Sequence, residues 1–130
     1  MIINQNPYAR NNIGGYSNGG PPAGEAANKG NYDKILLFNT SFYWVNSKPN
    51  LADKEIVLYV AKGDSWYGTD SFINEMYKAN YKNITVVTNN ETIANKYKNK
   101  VLIINPGNAM ENGHTSNNIT KSHYFSYACE

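Results

Sequence analysis

Four short, unbroken aliphatic runs limit what this chain can fold into. They are residues 34–39 with Ile35, Leu36, Leu37 and Phe38; 55–61 with Ile56, Val57, Leu58, Tyr59 and Val60; 83–88 with Ile84, Val86 and Val87; and 100–105 with Val101, Leu102, Ile103 and Ile104. A strand with one wet face alternates apolar and polar residues. A strand buried on both faces, as in a parallel sheet, reads as a continuous apolar run. Helical spacing fills two of the gaps. Residues 70–80 place Phe72, Ile73, Met76 and Tyr77 on one face, with Thr69 or Asp70 as N-cap, and residues 91–98 do the same with Ile93, Ala94 and Tyr97. Strands alternating with helices predict a single α/β domain over residues 1–130. Its sheet is mostly parallel, with about four or five strands, right-handed crossovers and flanking helices.

The two ends of the chain read differently. Residues 1–31 are rich in Asn, Gly and Pro and predict a loop-dominated segment. Within it, residues 23–29 form a run of good helix formers. Pro21 and Pro22 can sit in the first turn, and Gly30 is a plausible C-cap. Residues 40–54 and 106–118 read as loops, and 119–129 fit either a helix or a strand.

The N-terminal segment also carries a reactive-residue pattern. Gly15-Tyr16-Ser17-Asn18-Gly19 has the G-x-S-x-G spacing of a nucleophile elbow. A serine hydroxyl needs a base within hydrogen-bond reach, and that base gains from an orienting carboxylate. Asp64 lies just past the second aliphatic run and His114 lies in the loop after the fourth. Ligands of open α/β sheets sit beyond the carboxyl ends of the strands, so these groups can converge there. Ser17 is then the candidate nucleophile, His114 the base and Asp64 its orienter. The backbone N–H of Asn18 is the candidate oxyanion donor. Gly15 and Gly19 supply the small neighbours that a tight elbow needs, and Tyr16, Trp66 and Tyr67 are candidate substrate contacts. Each residue also has a plainer reading. The serine fits a flexible Gly/Ser loop, Asp64 a turn residue or cap, and His114 a solvated loop histidine. Asp70 is an alternative acid that also fits a helix cap, and His123, beside Tyr124 and Phe125, fits a packing element.

The chain order Ser17, Asp64, His114, with Ile13-Gly14-Gly15-Tyr16-Ser17-Asn18-Gly19-Gly20 as the elbow, resembles the C-terminal half of an α/β-hydrolase. Residues 23–29 resemble the helix after the family elbow, 34–38 the next strand, and 55–64 the strand and turn that carry the family acid. Residues 72–83 resemble the helix that follows, and Gly113-His114 the histidine turn. The resemblance implies hydrolysis of an ester, thioester or amide through an acyl-serine, with no cofactor. The chain departs from the family at its start, where 16 residues precede Ser17 and Asn11-Asn12-Ile13 stands in place of an apolar strand. It also inserts a further strand-helix unit between Asp64 and His114. It therefore reads as a truncated or divergent relative. The family strands before the elbow are missing, which leaves a sheet edge that a second copy or a protein partner would cover.

Other chemistries lack support. Twelve Lys and Arg against ten Asp and Glu give a net charge of +2 with no basic stripe, so nucleic-acid binding is not indicated. The apolar runs are too short to span a bilayer, and the N-terminus lacks signal-peptide character, so the expectation is a cytoplasmic protein without membrane attachment. Cys129 is the only cysteine, which excludes an intrachain disulfide or a cysteine zinc cluster. The spacing of Asp64, Asp70 and Glu75 matches no metal motif, and the glycine cluster is neither a P-loop nor G-x-G-x-x-G. Asparagine is abundant, as in proteins from AT-rich genomes, so sequons such as Asn39-Thr40-Ser41 arise by chance. The alternative to a small serine hydrolase is a non-catalytic α/β binding or interaction module that self-associates or binds a protein partner.

Overall fold

The computed structural model describes residues 2–3, 12–30, 32–41, 54–66, 73–74, 76, 81 and 83–120. They form one six-stranded sheet in chain order. The strands are β1 (Ile2–Ile3), β2 (Asn12–Tyr16), β3 (Lys34–Phe38), β4 (Glu55–Val60), β5 (Asn83–Thr88) and β6 (Leu102–Ile104). Strands β2 to β6 are all parallel, and β1 pairs antiparallel with β2, Ile2 opposite Gly14. The α/β domain and its five parallel strands agree with the aliphatic runs.

One expectation is corrected. The segment before Ser17 is a strand, not a loop, and Asn12 to Tyr16 pair in register with Lys34 to Phe38. Its sequence hides this because only Ile13 is aliphatic. Gly14 sits so close to β3 that a Cβ there would meet the Leu36 carbonyl oxygen at 3.0 Å. Glycine removes the apolar signal where backbone packs on backbone. The sheet therefore continues past the elbow strand to β1.

Helix α1 (Gly20–Lys29) follows a 3₁₀ turn (Ser17–Gly19) and ends where the Gly30 N–H bonds the Ala26 carbonyl at 2.8 Å. Its two prolines lie in the first turn, where absent N–H groups cost little. Helix α2 (Glu91–Tyr97) is capped by Asn90, whose side-chain oxygen accepts from the N–H groups of Thr92 at 3.1 Å and Ile93 at 3.3 Å. Between β4 and β5, Ile73 and Met76 are helical and buried. The expected loop of residues 106–118 contains a 3₁₀ turn (Gly107–Ala109), and a one-turn helix, α3 (Asn117–Thr120), begins near its end. Among the described residues no helix is long and apolar enough to cross a membrane.

The alternation of side chains splits the core in two. Ile35, Leu37, Ile56, Leu58, Ile84 and Val86 face α1, Ile73, Met76 and α2. Leu36, Phe38, Val57, Tyr59 and Val87 fill the other face, against Met110 and Ile119. Helix α1, Ile73, Met76 and α2, which lie in connections between successive parallel strands, share one side of the sheet, as crossovers of a single hand in chain order would place them. Full burial of each aliphatic side chain contributes about 1.5–3 kcal/mol. The rings of Phe38 and Tyr59 stack on adjacent strands at 4.3 Å. Because the parallel strands run in register, their carboxyl ends meet at one edge. Ser17, Asn39, Asp64 and the loop after β6 all emerge there.

Candidate active site

Ser17 leaves β2 with a positive φ of 52°, while Tyr16 before it is extended at φ −122°. A serine in the left-handed region costs about 1–2 kcal/mol and is held only by its surroundings. Here the surroundings are specific. The Ser17 carbonyl accepts from the Gly20 N–H and from the Thr40 hydroxyl. Gly15 allows the turn to fold back on the strand, since a Cβ there would overlap the Gly19 carbonyl. Gly20 is also confined, since a Cβ there would overlap the Thr40 side chain and the Ser41 carbonyl. Gly19 differs from the sequence reading: nothing lies within 4 Å of where its Cβ would be. The steric demand at this elbow falls on Gly15 and Gly20.

Asp64 follows β4 in a turn closed by its own N–H on the Ala61 carbonyl at 3.2 Å. Its side chain has 0% exposure. Oδ1 accepts from the Trp66 N–H at 3.0 Å, while Oδ2 accepts from Asn39 Nδ2 at 3.0 Å and faces His114 Nδ1 at 3.0 Å. The residue thus both makes an Asx-type turn and faces the histidine ring, so the two readings that the sequence set against each other are compatible in one side chain. Three donors satisfy a buried carboxylate.

His114 reaches the site on a loop that doubles back from the edge strand. From β6 the chain runs back past β5, where Asn89 Nδ2 donates to Asn112 Oδ1 at 2.8 Å and Asn89 Oδ1 accepts from the Lys62 N–H at 2.7 Å. The Gly113 N–H then bonds the Lys62 carbonyl at 2.9 Å. Gly113 has φ +86°, a turn that glycine makes without strain, and it delivers the next residue over Asp64. The imidazole Nε2 lies 2.9 Å from Ser17 Oγ. Asp64 as an acceptor fixes the tautomer: Nδ1 carries the hydrogen and donates to Oδ2, so Nε2 has its lone pair toward the serine hydroxyl. Residues 17, 114 and 64 form one unbroken chain of hydrogen bonds.

Aromatic rings hold the histidine. Tyr16 stacks on it at 5.1 Å and Trp66 lies against it at 5.2 Å. Trp66 is 65% exposed beside an imidazole whose side chain is 22% exposed, so the ring faces an open, partly apolar surface. Burial first, and then the charge of Asp64, pushes the Tyr16 phenol above its ordinary value, so it stays neutral. Asn18, next after the serine, is exposed at the start of the 3₁₀ turn, where a backbone N–H has no partner within the turn. Tyr67 lies outside the described residues, as do Asp70, Glu75, His123 and Cys129. Among the described residues no group of three or more His, Cys, Asp or Glu side chains gathers around a common point. A cavity of about 920 Å³ opens at the opposite edge of the strands, beside Asp33, Glu55, Asn83 and Lys100, away from this chemistry.

Sequence reasoning missed two residues. Asn39 and Thr40 were absorbed into a chance sequon, yet Asn39 is 0% and Thr40 5% exposed beneath the elbow. Asn39 Nδ2 bonds both Asp64 and, at 3.2 Å, the Gly113 carbonyl. Its position directly after a strand end was the one signal available. Comparison of the chain with protein-family models, with curated proteins and with solved structures gave no match, so its chemistry is argued from this geometry alone.

Proposed function

We propose that the protein is a small serine hydrolase acting on carboxylic esters or thioesters, akin to a shortened α/β-hydrolase. The observation that carries this reading is the relay Ser17 Oγ, His114 Nε2, His114 Nδ1, Asp64 Oδ2, with links of 2.9 and 3.0 Å. Those lengths lie in the range a general base needs.

In the first half-reaction the Ser17 oxygen attacks the substrate carbonyl carbon as its proton passes to His114 Nε2. The tetrahedral oxyanion is met by the Asn18 N–H at the start of the 3₁₀ turn. Asp64 stabilises the imidazolium, and the proton goes on to the departing alcohol or thiol, leaving an acyl-serine. In the second half-reaction water gives a proton to His114 and attacks the acyl carbon. The acid leaves and Ser17 regains its hydrogen. Tyr16 and the exposed Trp66 offer the apolar contacts for the acyl or leaving group, and no cofactor enters either half-reaction.

Labelling with a fluorophosphonate probe tests the reading. The native protein is expected to be modified on Ser17, and the Ser17→Ala and His114→Ala proteins are expected not to be. Absence of labelling in the native protein, with no cleavage of short p-nitrophenyl esters, would remove the enzyme reading. The reading as a self-associating module would then take its place, supported by Leu102, 62% exposed on edge strand β6.

A further inference from the structure

We infer that Asn39 is the positioning residue of the acid, a role that rests on the hydrolase reading and adds a fourth member to its relay. The residue type follows from two independent constraints. The first is backbone: Asn39 turns out of β3 at φ +52°, a region where Asn and Asp are the best tolerated side chains after glycine. The second is donor count. Its two neighbours, Asp64 Oδ2 at 3.0 Å and the Gly113 carbonyl at 3.2 Å, are both acceptors. A primary amide supplies two N–H donors, whereas a carboxylate in its place would put acceptor against acceptor. Reversing the amide would create the same two repulsions, so its orientation is fixed as well. The Asn39 N–H is itself pinned to the Tyr59 carbonyl at 3.2 Å, which roots the side chain in the sheet.

One amide therefore sets two things at once. It occupies a lone pair of the same Asp64 oxygen that faces the imidazole. With that lone pair taken by the amide, Oδ2 presents the other to the Nδ1–H of His114. It also ties down the Gly113 carbonyl, which precedes the base, and so sets the height of His114 over Ser17. Loss of the amide would loosen the relay at both joints.

The test is the pH profile of fluorophosphonate labelling in Asn39→Asp and Asn39→Ala proteins whose folding has been checked by near-ultraviolet circular dichroism. Among the described residues the titratable groups that interact with the acid include His114, from the loop after β6, and Tyr16, from the end of β2. In Asn39→Asp the new carboxyl, while protonated, gives its single hydrogen to Asp64 and replaces one of the two lost bonds. Once both carboxylates ionise they repel across that contact. Native labelling is expected to rise with pH and level off. N39D is expected to rise and then fall, and the fall is expected to persist in a Tyr16→Phe background. N39A is expected to be about 10²-fold slower at every pH, with no falling limb. An N39D profile parallel to the native one would overturn the proposal. If the native protein is not labelled at all, the hydrolase reading fails separately. The Asn39 role is then read from the His114 ring by nitrogen-proton NMR in a His123→Gln background. A second inflection in the N39D titration supports the role, and a titration identical to that of the unsubstituted background overturns it.

Discussion

Gly15 and Gly19 frame the serine symmetrically in sequence, yet alanine at the two positions should act in opposite ways. A Cβ on Gly15 would fall inside the Gly19 carbonyl and lie 3.0 Å from the Gly20 nitrogen. All of these atoms are backbone, so no side chain can swing aside. The 3₁₀ turn and the first turn of α1 must move instead. Overpacking in a tight site costs about 1–3 kcal/mol, and a backbone-on-backbone clash belongs at the upper end. With an urea slope of about 1–2 kcal/mol per molar for a chain this small, about 3 kcal/mol lowers the unfolding midpoint by about 2 M. The same shift draws Ser17 Oγ off its 2.9 Å contact with His114, and a displacement of about 1 Å slows reaction about 10²-fold. Gly19 has ordinary backbone angles, φ −79° and ψ −8°, and open space where a Cβ would go. Gly19→Ala should change stability by less than about 0.5 kcal/mol and leave labelling within about twofold. Urea melts and probe-labelling rates of the two variants decide the matter. Equal behaviour, or greater damage from Gly19→Ala, would refute the packing account of the elbow.

The strain at Ser17 has its own test. Ser17→Gly and Ser17→Ala both abolish labelling, but the glycine variant should be more stable than the alanine variant by about 0.5–1 kcal/mol. It relieves the left-handed conformation at some cost in unfolded-chain entropy, and urea melts measure the difference. Asp64→Asn should lower the labelling rate by about 10³–10⁴-fold, because a neutral amide no longer stabilises the imidazolium, and should cost about 1–3 kcal/mol in urea melts, because either amide orientation sets an N–H against a donor that the carboxylate accepted from. Burial raises the Tyr81 phenol above its ordinary value, so the folded state keeps a proton that the unfolded state releases. The resulting stability is whole below pH of about 10 and is lost as pH climbs through the raised folded value. Melts between pH 9 and 11 should therefore show a shallower alkaline decline in Tyr81→Phe.

Strands β3 to β5 were legible because burial on both faces demands an uninterrupted aliphatic run, and Ile35 to Phe38 or Ile56 to Val60 can serve little else; β6 carries the same kind of run, yet its Leu102 is exposed and Ile103 and Ile104 are half-buried. Strand β2 was illegible for a physical reason. Asn12-Ile13-Gly14-Gly15-Tyr16 gives up side chains where the elbow and β3 press on its backbone, so the packing that makes it a strand erases its pattern. Ser17, Asp64 and His114 could be picked out because each follows a strand or turn at one edge and their chain order is recognisable. Their convergence depends on the loop after β6 crossing back through Asn89, Asn112 and Gly113, which no local pattern encodes. Asparagine abundance, read as compositional bias, concealed this. Asn39, Asn89, Asn90, Asn112 and Asn118 each tie a loop or cap a helix with side-chain bonds. Asn90 acts locally, on the N–H groups of Thr92 and Ile93, whereas Asn39, Asn89 and Asn112 act through residues distant in sequence.

The central claim is that Ser17 becomes acylated through His114. It is tested most directly by mixing the protein with a short p-nitrophenyl ester, quenching in acid within seconds, and mapping the added mass by peptide mass spectrometry. The acyl group is expected on Ser17 in the native protein, greatly diminished in His114→Ala and absent in Ser17→Ala. Acylation on another residue, or equal acylation of Ser17 without His114, would contradict the relay.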